Sequence, residues 1–253
     1  MRKVCLIVPC YDEAERFDER AFREIAAHPE ITLLFVDDGS RDETPARLAA
    51  FCEALDDRAT WLQLPRNGGK AEAVRQGLLR ALEEQADLVA YTDADLAAPV
   101  EEVYRVVDAL LAEDADVVMG SRIRYLGTQI RRSPHRHYLG RIFATLASLL
   151  LRLPVYDTQC GLKAFRRTPA LEAALAEPFQ SRWCFDVELL ARLLIGGPGV
   201  EPVARGRIRE LPLLAWSEVP GSKLRGRALG SIGLEMLRIA RDVHRRRARL
   251  GRV

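Results

Sequence analysis

Through the first 121 residues, short apolar runs alternate with longer amphipathic stretches. Residues 4–8, 31–36, 60–64, 88–91 and 116–121 read as strands, most of them apolar on both faces. Between them, residues 18–28, 44–55, 71–84 and 101–113 carry helical periodicity, and Pro99 sits just ahead of the last of these. Strands and helices alternating at this spacing predict βαβ units and a mostly parallel α/β sheet with flanking helices. After Arg122 the alternation stops. A basic loop containing Pro134, His135 and His137 leads to an apolar helix over residues 137–151. A further helix starts near Phe185, residues 208–216 suit a strand, and the chain from Arg227 suits a basic helix. The expected organisation is one domain over 1–253 in three parts: residues 1–121, residues 122–226 and a C-terminal helix (227–253).

Three of the strands run straight into acids: Asp12 and Glu13, Asp37 and Asp38, Asp93 and Asp95. Ligands of open parallel sheets sit at the carboxyl ends of strands, so these acids point to one shared cleft. An isolated Asp-x-Asp would be read as a helix cap beside a solvated acid. Here two carboxylates one residue apart, crowded at a strand end, repel each other unless a cation balances them. A hard divalent ion such as Mg²⁺, or Mn²⁺ in its place, is held by one or two carboxylates while substrate phosphates complete its shell. Gly68-Gly69-Lys70 at a helix start offers backbone N–H groups and a cation to an anion. It is not a Walker motif, since the upstream glycine and the Ser or Thr after the lysine are missing.

Composition narrows the class. Apolar residues make up 48% of 253, which is enough for a substantial core. The net charge is only +2, yet residues 122–141 hold Arg122, Arg124, Arg131, Arg132, Arg136 and Arg141 with no acid among them, and the tail from Lys223 is strongly basic. Such blocks suggest an anionic partner. The five cysteines form no Cys-x-x-Cys pair, which argues against zinc and against a disulfide framework. The start Met1-Arg2-Lys3 has no signal-peptide pattern, and the longest apolar run, residues 142–151, is about half of a membrane span. The expected location is cytoplasmic, at most resting on the membrane's cytoplasmic face.

Taken in order, the motifs Val8-Pro9-Cys10-Tyr11-Asp12-Glu13, Val36-Asp37-Asp38-Gly39-Ser40, Asn67-Gly68-Gly69-Lys70, Asp93-Ala94-Asp95-Leu96, Gly120-Ser121-Arg122, Asp157-Thr158-Gln159-Cys160-Gly161, Phe185-Asp186-Val187-Glu188 and Gly221-Ser222-Lys223-Leu224 cover most of the chain. Together they resemble the family 2 glycosyltransferases of GT-A fold, a Rossmann-like α/β sheet. They are most similar to the subgroup that moves a hexose from a nucleotide sugar to dolichyl or another polyprenyl phosphate. The resemblance implies that 1–121 is a nucleotide-handling half and 122–226 an acceptor half, and that Pro9, Tyr11, Glu13 and Asp37 or Asp38 hold the base and ribose. It further implies that Lys70, Asp93, Ala94 and Asp95 meet the donor, that Asp93 and Asp95 take the metal, and that Arg122 and Lys223 meet phosphates. Asp12 stands where the family often has Asn, and Glu72 where a glycine commonly follows the lysine. The segment Trp216-Ser217-Glu218-Val219-Pro220 is closer to the dolichyl-phosphate glucosyltransferase pattern, which tilts the donor toward UDP-glucose over GDP-mannose.

Glycosyl transfer needs a stabilised diphosphate leaving group and an aligned nucleophile. A metal at Asp95, with Lys70 or Lys223, would supply the first. A hydroxyl acceptor would need a base, whereas a polyprenyl phosphate oxygen is already ionised and needs only arginines to hold it: Arg122, Arg131 and Arg132 are the candidates. Direct displacement would invert the anomeric centre. For Asp186 and Glu188, buried ion pairing is preferred over a role as base; Trp183 and Phe185 are read as core, and His135 and His137 as loop residues. The helix over residues 137–151 and the basic tail suit a membrane surface, and a nucleic-acid partner is not expected. Two rivals remain: a family 2 transferase with a soluble or polysaccharide acceptor, and a non-catalytic module that binds nucleotide sugar or RNA.

Overall fold

The computed structural model describes residues 4–112, 114–219 and 228–251, with the side chains of 134–137 and 228–232 left aside. The apolar runs form β1 (Val4–Cys10), β2 (Ile31–Asp37), β3 (Ala59–Gln63), β4 (Leu88–Tyr91) and β5 (Val117–Ser121). The amphipathic stretches between them form α1 (Glu19–Ala27), α2 (Thr44–Glu53), α3 (Lys70–Glu83) and α4 (Val100–Ala112). Each expected element of this half is present with its ends shifted by a residue or two, as helix and strand ends commonly are.

Beyond Arg122 the chain adds β6 (Gln129–Arg131), α5 (Pro134–Leu151), β7 (Lys163–Arg166), α6 (Pro169–Leu175), α7 (Phe185–Ile195), β8 (Ile208–Pro212), β9 (Ala215–Ser217) and α8 (Ala228–Arg249). The main sheet has the order β3-β2-β1-β4-β7-β5-β8. All its pairs are parallel except those of β7, which runs antiparallel to both neighbours. Strands from both sides of residue 121 therefore build one sheet.

Side chains alternate across that sheet, as the pleat requires. Leu6, Val8, Leu33, Phe35, Leu88 and Ala90 face the cluster under α1, α2 and α4. Ile7, Leu34, Val36, Val89 and Tyr91 face the cluster shared with α3, α5, α6, α7 and α8. The result is three layers. Gly77 lets α3 lie directly on the sheet, because a Cβ there would collide with Ile7. That close approach seats the amino end of α3, and with it Lys70, beside the ends of β1 and β4.

The differences from the sequence reading have local causes. The expected strand over 208–216 is two strands. The N–H of Leu213 still pairs with the carbonyl of Ser121, but those of Leu214 and Ala215 both donate to the buried Glu102 carboxylate at 2.8 and 2.9 Å. This turns the chain out of the main sheet toward β6. The helix expected from 137 starts three residues earlier, with Pro134 in its first turn, where no N–H is needed; His135 and His137 thus lie in a helix instead of a loop. Trp183, read as core, is exposed, whereas Phe185 is buried. All five cysteines are free.

Candidate active site

The order of strands makes the carboxyl end of β1 a switch point, with β2 on one side and β4 on the other. Pro9 lies in β1, followed by Tyr11, Asp12 and Glu13. Asp12 has the left-handed φ of +48°, its N–H donates to Ser40 Oγ at 2.9 Å, and its carboxylate accepts from the N–H of Arg41 at 2.8 Å. The N–H of Glu13 donates to Thr44 Oγ1 at 2.8 Å, and its carboxylate pairs with Arg16 at 2.6 Å. These bonds lock the turn after β1 onto the turn after β2.

At the end of β2, Asp37 is fully buried and accepts from the N–H of Ser40 at 3.2 Å. Asp38 receives the N–H groups of Gly68 and Gly69, one on each oxygen, both at 2.7 Å. Burial raises its pKa, and the two backbone bonds pull it partway back. The anion that meets the Gly68-Gly69 turn is therefore Asp38 itself, which ties that turn and Lys70 to the end of β2.

At the end of β4 the two acids differ. Asp93 forms an ion pair with Lys70. Burial opposes its charge, but Lys70 outweighs burial, aided by Arg122 and Lys163, so its pKa falls below the usual value. Burial likewise opposes the Lys70 charge, but Asp93, with Asp186 and Asp95 behind it, outweighs burial and raises the lysine's pKa. Among the described residues Asp95 accepts one hydrogen bond, from the N–H of Ala97 at 3.1 Å, and its pKa is raised by burial first and by Asp93 second. Ala94 between them is buried, and Leu96 holds a left-handed φ of +46°, a local strain of about 1 kcal/mol that aims the turn. Gly161 completes the wall: any Cβ there would lie inside the Asp93 carboxylate.

Among the described residues, no three His, Cys, Asp or Glu side chains converge as a metal-ligand set. A pair of carboxylates nonetheless fits an ion that draws the rest of its shell from phosphates. Asp95 in particular carries a charge that burial and Asp93 disfavour more than Lys70, which is bonded to Asp93, and Arg16 favour it.

Arg122 follows β5. Its Nε and Nη2 grip the Asp157 carboxylate at 2.6 and 2.8 Å, and the Trp216 ring lies 5.2 Å from its guanidinium carbon. Burial opposes both charges, yet each stabilises the other, which pushes the Arg122 pKa up and holds Asp157 well below the carboxylate range. Glu210 accepts the N–H groups of Tyr156 and Asp157 at 2.8 and 2.6 Å and fixes this loop. Arg131 lies in β6 and is exposed; Arg132 follows it, with its guanidinium against Gly140 of α5. Lys223 lies outside the described residues.

The structure answers the question left by the two acids of α7. Glu188 pairs with Arg192 at 2.7 Å and accepts the N–H groups of Gln180 and Ser181. Asp186 pairs with Lys163 at 2.6 Å and accepts the phenol of Tyr91. Both are buried ion pairs. Three participants escape a reading of residue types alone: Asp157, Gly161 and Lys163. All belong to the stretch that opens Asp157-Thr158-Gln159-Cys160-Gly161, whose order is a signal but whose contacts are not.

Comparison with known proteins shows the family and the fold. Residues 5–172 match the family model described as Glycosyl transferase family 2. A dolichyl-phosphate beta-glucosyltransferase of Trichomonas vaginalis is 30% identical over 92% of this chain and 69% of its own length. The Saccharomyces cerevisiae dolichyl-phosphate beta-glucosyltransferase is 27% identical over 94% and 72%, and the polyprenol monophosphomannose synthase of Mycolicibacterium smegmatis is 30% identical over 80% and 76%. Among solved structures, glucosyl-3-phosphoglycerate synthase from Mycobacterium tuberculosis superposes with a TM-score of 0.67 at 19% identity, covering 97% of this chain and 80% of that one, which shows the shared GT-A fold. With the paired acids of β4 at the switch point of that fold, and a family match across about two thirds of its length, this chain belongs to glycosyl transferase family 2.

Proposed function

We propose that the protein transfers a hexose, glucose from UDP-glucose in preference to mannose from GDP-mannose, to the phosphate of a polyprenyl or dolichyl lipid, with inversion. The observation that carries this reading is the Lys163–Asp186 pair. With Asp186 and Glu188 both spent in buried ion pairs, the acids expected to serve a hydroxyl acceptor as base are taken, and an acceptor that arrives ionised needs none. The relatives named above act, by their names, on dolichyl phosphate or produce polyprenol monophosphomannose, which supports the same acceptor class.

In this reading Pro9, Tyr11, Glu13, Asp37 and Asp38 hold the base and ribose, and Ala94 lies against the donor. Asp93 and Asp95 would hold Mg²⁺ or Mn²⁺, which when bound neutralises charge on the departing diphosphate. Lys70 adds its ammonium from the amino end of α3, where the helix dipole already favours an anion. Arg122 keeps Nη1 for a phosphate while Asp157 fixes its other edge, and Arg131, Arg132 and Lys223 add charge toward the acceptor.

The lipid would reach the site from a membrane surface. No described helix is long and apolar enough to cross a bilayer. Instead α5 buries Ala144, Ala147 and Leu151 and turns Tyr138, Ile142, Leu146 and Leu149 outward, with Ile142 62% and Leu149 71% exposed. Leu234 and Leu237 of α8 are exposed as well, on a helix rich in arginine. An apolar stripe flanked by cations suits the cytoplasmic face of an anionic membrane. The test is a donor screen with purified protein and polyprenyl phosphate in vesicles. Labelled glucose should enter the lipid fraction in the presence of Mg²⁺ or Mn²⁺; label transferred to a soluble sugar or polysaccharide instead would refute the reading.

A further inference from the structure

Beneath the Lys70–Asp93 pair lies a second layer of charge. Lys163 has no exposed surface, and it opens β7, the antiparallel strand between β4 and β5. Because β7 runs backward, its first residue registers with Tyr91 at the carboxyl end of β4 and with Met119 of β5. A lysine that would otherwise lie remote from the cleft is thereby brought to its floor.

Its ammonium makes two bonds, to the carbonyl of Cys160 and to Asp186 Oδ1 at 2.6 Å. The same carboxylate oxygen accepts the phenol of Tyr91, which burial first and the Asp186 charge second keep protonated. Cys160 precedes Gly161, the residue against which the Asp93 carboxylate rests without room for a methyl group. A continuous chain of contact thus runs from Tyr91 and Asp186 through Lys163 and the Cys160 carbonyl to the wall behind Asp93.

We propose that Tyr91, Asp186 and Lys163 are positioning residues: they hold the Cys160-Gly161 turn so that Asp93 faces the cation and the donor diphosphate in one orientation. The proposal rests on the reading of Asp93 as a metal ligand. A buried ion pair is a poor source of stability by itself, since apolar groups of similar volume commonly replace one at little cost. Its presence under the cleft is explained by geometry: groups behind a metal ligand set its aim, and their loss typically lowers metal affinity about 10–100-fold.

The test compares wild type with the double variant Lys163→Met/Asp186→Leu, which removes both charges together, and with Tyr91→Phe, which keeps the ring that packs on Phe165 and Phe185. Mn²⁺ binding in the presence of UDP is followed by electron paramagnetic resonance, UDP binding without metal by calorimetry, and folding by thermal melts. The folded double variant should bind Mn²⁺ with UDP about tenfold more weakly or worse, with metal-free UDP binding unchanged. Tyr91→Phe should lose about threefold, for one hydrogen bond. Should the double variant fail to fold, Tyr91→Phe decides alone. Folded variants that bind Mn²⁺ as wild type does would overturn the proposal, as would a parallel loss of metal-free UDP binding. A wild type that binds UDP but never Mn²⁺ would instead overturn the metal role of Asp93, on which the proposal stands.

Discussion

The two acids of β4 sit one residue apart yet carry opposite perturbations. Asp93 is held ionised by Lys70, whereas Asp95 is charged against burial and against Asp93. An acid whose folded pKa is raised makes the folded state less stable at every pH where it is ionised, so removing that charge relieves the fold. Asp95→Asn should therefore melt at or above the wild-type temperature while transfer drops by about a hundredfold or more, measured on one preparation. A variant that melts lower and transfers normally would reverse the assignment. Asp157 has the opposite sign. Its folded pKa is depressed, so the stability of its pair with Arg122 is fully present above the unfolded value of about 4 and is lost as pH falls through the lower folded value. Asp157→Asn leaves the mostly buried side chain of Arg122 half-satisfied; it should cost about 3 kcal/mol at neutral pH in denaturant titrations, and the deficit should shrink below pH 4. Gly161→Ala is a sharper probe of aim. Its added methyl displaces the Asp93 carboxylate, so metal affinity, and donor affinity in the presence of metal, should fall together in direct binding measurements.

At the scale of elements, what was legible followed from periodicity. Residues 4–8, 31–36 and 88–91 are apolar but for Thr32 because their strands are covered on both faces, and α1 to α4 show their stripes. β7 escaped because two of its four residues are charged, and one of these, Lys163, is wholly buried. A buried lysine breaks the apolar signature of a central strand, and the charge that makes it tenable, Asp186, lies more than twenty residues away. The split of 208–216 was equally hidden, since the acceptor that ends the strand, Glu102, sits on α4. The apolar character of α5 is legible in its sequence, and the structure shows which side is open. Ile142→Ser and Leu149→Ser should change stability by less than about 0.5 kcal/mol in chemical denaturation, as expected for exposed sites. The same pair should lower flotation with anionic liposomes, and wild-type flotation should weaken as salt shortens the range of the α8 arginines. Flotation that survives both changes would move the membrane contact elsewhere.

Across the whole molecule, the proposed function follows the sheet order: base and ribose would lie at β2 and β1, diphosphate at β4 and acceptor phosphate at β5. The acids of this layout were legible because each follows directly on an apolar strand. The pairings that decide their use were not, because Lys163 with Asp186 and Arg122 with Asp157 join residues far apart in the chain. Those pairings carry the central claim, that an ionised phosphate oxygen attacks the anomeric carbon with no base from the protein. The most direct measurement is the structure of the product by ¹H and ³¹P nuclear magnetic resonance after reaction of UDP-glucose, an α-linked donor, with polyprenyl phosphate. The account predicts a β-linked glucosyl phosphodiester on the lipid; an α-linked product, or glucose joined to a hydroxyl oxygen, would contradict it.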